Sequence, residues 1–365
     1  MTAPAPSPLL ETPLAAAHRK AGARMVEFGG WSMPVFYTSI LDEHQAVRTG
    51  AGLFDISHMG EFMIEGPQAA AFLNSLLTND IDRLRIGDGQ YTLMLNERGG
   101  VIDDLIVYRA DEESFFLVVN ASKIDEDRAW IESRLPASGV VFADKSASYA
   151  AVALQGPKSD AILAALGWPR PARNGIAPAR LPFLAFIART GYTGEDGFEV
   201  FCEAASAEAL WDKLIAAGAK PAGLGSRDTL RLESCYPLNG NDLSPDKTPL
   251  EAGLGLFVSL SKEADFPGKA ILAKQKAEGV AQRLVALKPL EKSAPPRSHY
   301  KVFAPGGTEP VGEVTSGGLS PTLGHGIALA YVGAEHAKPG TRLELEVRER
   351  RSPVEVVPKP FYKRS

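Results

Sequence analysis

The chain has 365 residues, 45% hydrophobic and 23% charged, with 39 Lys and Arg against 44 Asp and Glu and a formal charge of −5. That length exceeds what one hydrophobic core ordinarily serves, so two or three domains are expected. There is no basic cluster to meet nucleic acid, no run of about 18 apolar residues to span a membrane, and only two cysteines, which suits a reducing compartment rather than a disulfide framework.

The opening MTAPAPSPLL has no basic segment followed by an apolar one, so no secretory signal is expected, and residues 1–8 read as frayed. TPLAAAHRKAGA carries helix formers up to Gly22, and GGWSMPVFY, with Gly29, Gly30 and Pro34, reads as loop. SILDEHQAVRTGAG predicts a helix capped by Ser39 and stopped by Gly50 and Gly52. LFDISHMGEFMIEG alternates and predicts one strand, and PQAAAFLNSLLTND predicts a helix opened by Pro67. GQYTLMLNERGGVIDDLIVYRADEESFFLVVN predicts three antiparallel strands, and ASKIDEDRAWIESRL a helix. SYAAVALQGPKSDAILAALG repeats an earlier order of strand, Gly-Pro and helix. Gly156-Pro157 answers Gly66-Pro67, a weak internal duplication. LPFLAFIARTGYTGEDGFEVFCE predicts strand, glycine-rich loop and strand; ASAEALWDKLIAAG and GLGSRDTLRLESC predict helices. Strands and helices without strict alternation indicate an α+β class. From residue 280 on, short alternating segments split by Gly and Pro predict an all-β C-terminal domain, sandwich or barrel.

No P-loop, dinucleotide or nucleophile-elbow pattern is present, and the six histidines have no H-x-x-x-H spacing, so no metal site is expected. Three segments carry possible chemistry. In GGVIDDLIVYR two adjacent acids stand in an apolar strand. Alternation puts Asp103 on a face with Val101, Leu105 and Val107, and Asp104 on the other with Ile102 and Ile106. At least one acid then sits where burial costs on the order of several kcal/mol unless it is paired or functional. RTGYTGEDGFEV surrounds Tyr192, Glu195 and Glu199 with Gly191, Gly194 and Gly197. It reads either as a hairpin loop with solvated acids or as a tight loop letting backbone approach a flat ligand. GLGSRDTLRLES sets Arg227, Asp228, Arg231 and Glu233 at helical spacings, which alone reads as a surface ion-pair face.

Taken in order, GARMVEFGGWSMPVFY, DEHQAVRTGAGLFDISHMG, LNERGGVIDDLIVY, LVVNAS, RTGYTGEDGFEV, GLGSRDTLRLES, DFPGKAIL and VGEVTSGGLSPTLGHGIALAYV make the chain resemble the glycine cleavage T-protein, or aminomethyltransferase, family over essentially its whole length. The resemblance implies an α+β, three-domain folate-binding fold around a central channel, with two α+β domains and a C-terminal all-β barrel-like domain. The implied division is 1–55 with 145–245, 56–144 with 246–279, and 280–365. The implied reaction moves a one-carbon unit from the aminomethyl-lipoyl group of the carrier H-protein to tetrahydrofolate, releasing ammonia and giving 5,10-methylenetetrahydrofolate. Tetrahydrofolate is then a co-substrate and the lipoyl group arrives on the carrier. Nucleic acid and membrane are not expected partners, and the expected compartment is the cytoplasm, or the matrix in a eukaryote.

The same resemblance implies residue roles. Asp103, the first of the pair, matches the catalytic acid and Asp104 its structural neighbour. The expectation is that Asp103 tolerates its strand by facing a wet, ligand-filled channel. Glu199 matches the pterin-binding acid, since a carboxylate accepts both the exocyclic amine and the ring N–H. Glu195 is the second choice. Arg227 matches an arginine facing the folate; Tyr192 packs on the ring or donates its hydroxyl; Tyr91, Asn120 and Tyr236 are lesser candidates. His58 reads as structural. Two relatives of this fold compete: folate-dependent demethylases, and non-enzymatic folate-binding proteins of iron–sulfur assembly, whose K-G-C-[YF]-x-G-[QE] signature is not matched by LESCYPLNGND.

Overall fold

The computed structural model describes residues 8–181, 183–347 and 350–364. Near the start, strands Leu10–Glu11, Trp31–Phe36 and Arg24–Phe28 form a three-stranded sheet in that order. The segment read as loop is therefore largely strand. Gly29 and Gly30, both at positive φ, turn a hairpin that pairs Phe28 with Trp31. Pro34 is tolerated beside a register shift.

Two larger sheets carry the middle of the chain. One has six strands in the order Ile176–Leu181, Leu184–Ala188, Gly197–Glu203, Tyr149–Gln155, Gly52–Asp55 and Lys220–Pro221. The other has five: Gly89–Leu95, Val101–Asp111, Ser114–Val119, Gly60–Glu65 and Val141–Asp144. The stretch LFDISHMGEFMIEG, expected as one strand, is split between them. Asp55 causes the break: its carboxylate accepts the Ser57 N–H at 2.9 Å and holds Thr12 and His18 at 2.7 and 2.9 Å. The chain turns there and enters the second sheet at Gly60. Phe54, Tyr108, Phe116, Val118 and Phe201, drawn from both sheets, fill one shared apolar cluster.

The expected duplication is visible in the two Gly-Pro turns. Gly66 and Gly156 adopt φ of 121° and 127°, and a Cβ on either would lie within about 2.5 Å of a backbone carbonyl oxygen. The carbonyls of Gly66 and Gly156 themselves each accept the N–H three residues on, at 3.0 Å, to open helices Ala69–Leu76 and Ser159–Ala165. Only glycine fits this conformation and approach.

Strands Gln282–Pro289, His325–Gly333, Pro310–Ser320, Lys301–Phe303, Arg342–Val347 and Arg350–Val357 close into a barrel, which decides between sandwich and barrel. Helix Leu224–Glu233 packs against helix Ile40–Thr49, strand Trp31–Phe36 and barrel strand Pro310–Ser320. Arg231 and Glu233, expected on a surface face, are buried clamps. Arg231 pairs with Asp242 at 2.9 Å and donates to Ser316. Glu233 binds Arg48 at 2.7 Å and accepts from Ser320 and Thr322 of the barrel. The reason is topological: the helix is covered on both sides, so its charged face meets partners rather than water.

Candidate functional site

The site begins with the pairing of strand Val101–Asp111. Its neighbour Gly89–Leu95 pairs Tyr91 with Ile106, Leu93 with Asp104 and Met94 with Asp103, then skips Ile102 to reach Val101. That bulge breaks the alternation, and Ile102 packs in the same cluster as Leu105 and Val107. Beyond it the two-residue period holds. Leu105 and Val107 face a core that includes Ile124 and Ile131 of helix Ile124–Glu132. Asp104, Ile106 and Tyr108 take the opposite face, where Ile106 and Tyr108 meet the six-stranded sheet.

This separates the two acids. Asp103 is fully buried, at 0% exposure, and does not face a wet channel. Amide donors compensate it instead. The Asn120 N–H donates to Oδ2 at 3.0 Å, and the side-chain amides of Asn120 and Asn239 both donate to Oδ1 at 2.8 Å. Behind it, its carboxyl meets that of Asp127. Asp104 is half-buried. Its Oδ2 accepts the Tyr91 hydroxyl at 2.9 Å and its Oδ1 the Asn120 amide at 3.1 Å. Burial, then the neighbouring Asp103 charge, raises its pKa to about 7, near neutrality.

On the far side of the same face, the Tyr108 hydroxyl lies 2.7 Å from Thr190 Oγ1, which donates to Glu199 Oε2 at 2.5 Å. Thr190 has one proton and spends it on Glu199, so Tyr108 is the donor in the other bond. Burial raises the pKa of Glu199, against the pull of Thr190 and Arg227. Arg227 is the telling group. Its guanidinium makes no hydrogen bond or ion pair among the described residues, and Nη1 is buried without a partner. It lies 5.0 Å from the centre of the Tyr192 ring and in the field of Glu199. Buried polar groups are ordinarily satisfied. A guanidinium left without a partner among the described residues, in the field of a buried carboxylate, suits a place for a polar ligand.

Tyr192 and Tyr236 join the two halves. Their rings stack at 5.8 Å, and the Tyr192 phenol lies in the fields of both Asp104 and Arg227. The Tyr192 hydroxyl donates to the Pro237 carbonyl, so its ring, not its hydroxyl, is what it offers. Two residues on, Asn239 binds Asp103. Tyr91, Asp104, Asn120, Tyr192, Arg227 and Asn239 are all half-buried, whereas Asp103 and Glu199 are buried. Glu195 stands apart. Its carboxylate is committed to Arg48 and the Tyr362 hydroxyl, both at 2.9 Å. His58 is buried, with a pKa pushed down to about 4 by burial, and so is neutral. Among the described residues no group of three His, Cys, Asp or Glu side chains could hold a metal ion, and no helix is long and apolar enough to cross a membrane.

Residues 14–262 match the family model described as the GCVT N-terminal domain, and residues 282–363 the glycine cleavage T-protein C-terminal barrel domain. The chain belongs to the glycine cleavage T-protein family. Curated relatives named aminomethyltransferase from Bacillus mycoides (strain KBAB4) and Bacillus cereus (strain AH187) are each 46% identical over 368 residues, covering 98% of this chain and 99% of the relative. A crystal structure of the glycine cleavage system aminomethyltransferase T from Bartonella henselae superposes with a TM-score of 0.92 at 37% identity. That match covers 97% of this chain and 98% of the other.

In this T-protein fold, four groups that touch the cluster carried no signal in the sequence as read. Asn239 lies in a loop, LNGND, without a regular period. Tyr108 and Thr190 look like ordinary strand-end residues. Asp127 looks like a solvated acid of a helix first turn. The glycines of RTGYTGEDG also have a different purpose from the expected one. A Cβ on Gly191 would lie 1.9 Å from Gln155 Oε1, and one on Gly197 2.5 Å from Gln155 Nε2. They admit the buried Gln155, which holds the loop through Thr190 O and Thr193 Oγ1.

Proposed function

We propose that this T-protein transfers its one-carbon unit at the cluster between Asp104 and Glu199, with Asp104 rather than Asp103 as the acid at the reacting centre. Family membership and relatives named aminomethyltransferase make the chain a tetrahydrofolate-dependent aminomethyltransferase of glycine cleavage. Demethylase and iron–sulfur assembly roles find no support. The Arg227 guanidinium, without a partner among the described residues and in the field of Glu199, is the observation that carries the placement. Glu199 accepts the pterin amine and ring N–H, Tyr192 and Tyr236 present ring faces, and Arg227 faces the ligand's acidic side.

The overall transfer is balanced by protons. The folate loses two N–H protons; the aminomethyl carbon gains two bonds to folate nitrogen and loses its bonds to nitrogen and sulfur. One proton leaves with ammonia and one ends on the dihydrolipoyl sulfur. A carboxyl with near-neutral proton affinity suits such traffic. Asp104, with burial and Asp103 raising its pKa, has that character, and Tyr91 and Asn120 hold it in place.

H-protein supplies the aminomethyl-lipoyl arm, no metal takes part, and the compartment is the cytoplasm, in keeping with two free cysteines. The membership of the two large sheets supports a division into 1–55 with 145–245, 56–144 with 246–279, and 280–365. The test is ammonia release from aminomethylated H-protein and tetrahydrofolate. Asp104→Asn is expected to lose about a hundredfold or more in turnover, the usual scale of acid–base catalysis, with folate affinity largely kept. Turnover like the parent's, or a greater loss in Asp103→Asn, would return the role to Asp103.

A further inference from the structure

Asp127 is a fourth acid of the cluster's neighbourhood that no step above uses. It sits in the first turn of helix Ile124–Glu132 and is fully buried. Neither of its oxygens receives a hydrogen bond from any donor among the described residues. Its carboxyl meets that of Asp103. Two carboxylates in contact, without a cation or donor between them, repel. The contact is sound only if one of them carries a proton.

Which one is settled by their other partners. Asp103 accepts three N–H donors, two from Asn120 and one from Asn239, an arrangement suited to an ionised acceptor. Asp127 has none. Its own helix also carries Asp125, Glu126, Arg128 and Glu132; Glu126 binds Lys123, just before the helix, at 2.7 Å, and Asp125 binds Arg128 at 2.5 Å. From the strand it faces Asp103, with Asp104 beyond. We propose that Asp127 is a positioning residue of the reaction: a neutral carboxylic acid whose O–H donates to Asp103 and holds it as the charged partner beneath Asp104. Burial and the Asp103 charge both raise its proton affinity, consistent with this geometry. The consequence reaches the reacting centre, because the Asp103 charge is one of the two causes that raise Asp104. This rests on the reading of Asp104 above.

The experiment compares Asp127→Asn, whose amide still donates, with Asp127→Ala, which does not. The readout is the pH profile of kcat/KM for ammonia release, in the complete chain with aminomethylated H-protein. Losing a hydrogen bond to a charged group should move the acid limb of Asp127→Ala up by about one pH unit or more, since the Asp103–Asp104 pair then holds its proton more tightly. Asp127→Asn should keep the parent limb. Infrared difference spectra of the folded protein should show a protonated carboxyl C=O stretch that Asp127→Asn lacks, a readout that stands even if Asp127→Ala does not fold. A downward shift in Asp127→Asn would mean that Asp127 is charged, and would overturn the proposal, as would an unmoved limb in Asp127→Ala or an unchanged infrared band in Asp127→Asn. Asp104→Asn run alongside separates the two ideas: full activity there refutes the Asp104 reading, while an inactive Asp104→Asn with an unmoved Asp127→Ala limb refutes only this one.

Discussion

Replacing Thr190 with valine isolates the electrostatics of Glu199 with almost no change of shape. In the parent chain Thr190 donates to Glu199 at 2.5 Å and accepts from Tyr108 at 2.7 Å. Burial already raises the proton affinity of Glu199, and Thr190 is the largest influence lowering it. A hydrogen bond to a charged group is worth about 1.5–3 kcal/mol. At about 1.36 kcal/mol per unit, its loss raises the Glu199 pKa by roughly one to two units. The ionised carboxylate is the form that accepts the pterin donors. Tetrahydrofolate affinity of Thr190→Val should therefore match the parent at high pH and fall away at a pH one to two units higher than in the parent. Between those limbs the loss is about tenfold to a hundredfold. Calorimetric titration across a pH series measures this directly. The buried Tyr108 hydroxyl, left without its acceptor, should also cost about 1–3 kcal/mol in chemical denaturation. If the two binding curves superpose at every pH while stability alone falls, Thr190 only holds the fold and the account of Glu199 is wrong.

Glu199→Ala should weaken tetrahydrofolate binding by more than about 1.4 kcal/mol, or tenfold; unchanged affinity would move the pterin role elsewhere. Gly191→Ala should destabilise by about 1–3 kcal/mol through overpacking against Gln155, which cannot retreat without losing its bonds to Thr190 and Thr193. A stable Gly191→Ala chain in urea titration would contradict that packing. Against burial, hydrogen bonds from His44, Ser320 and Arg48 hold the Glu233 pKa down to about 2 from its ordinary 4.5. Its lowered value means its contribution is complete above pH 4.5 and is lost as pH falls toward 2. Stability of the parent should drop across that window, and Glu233→Gln, already weaker at neutral pH, should show a shallower drop. Parallel acid titrations would count against the clamp.

Much of the architecture was legible because it is local. The helix capped by Ser39, where Oγ accepts the Asp42 N–H at 3.1 Å, follows from one residue and its followers. So do the three antiparallel strands from Gly89 to Val119 and the two Gly-Pro turns. Where reading failed, a partner outside the segment intervened. GGWSMPVFY became a strand because Arg24–Phe28 pairs with it. LFDISHMGEFMIEG broke because Asp55 is held by Thr12 and His18, about forty residues upstream. Arg231 and Glu233 were buried by a barrel that begins at Gln282, about fifty residues later.

The site divides along the same line. Alternation alone says that adjacent acids on a strand point opposite ways, and the glycine-rich segment and helix GLGSRD mark Glu199 and Arg227 as candidates. Periodicity carries no sign, however: it separates two faces without saying which one meets the ligand. The sign proposed above rests on the bulge at Ile102, on the helix bearing Asp127 on one side and on the six-stranded sheet bearing Glu199 on the other. The last two are contacts between segments far apart in the chain, and their free energy exists only once the sheets have packed.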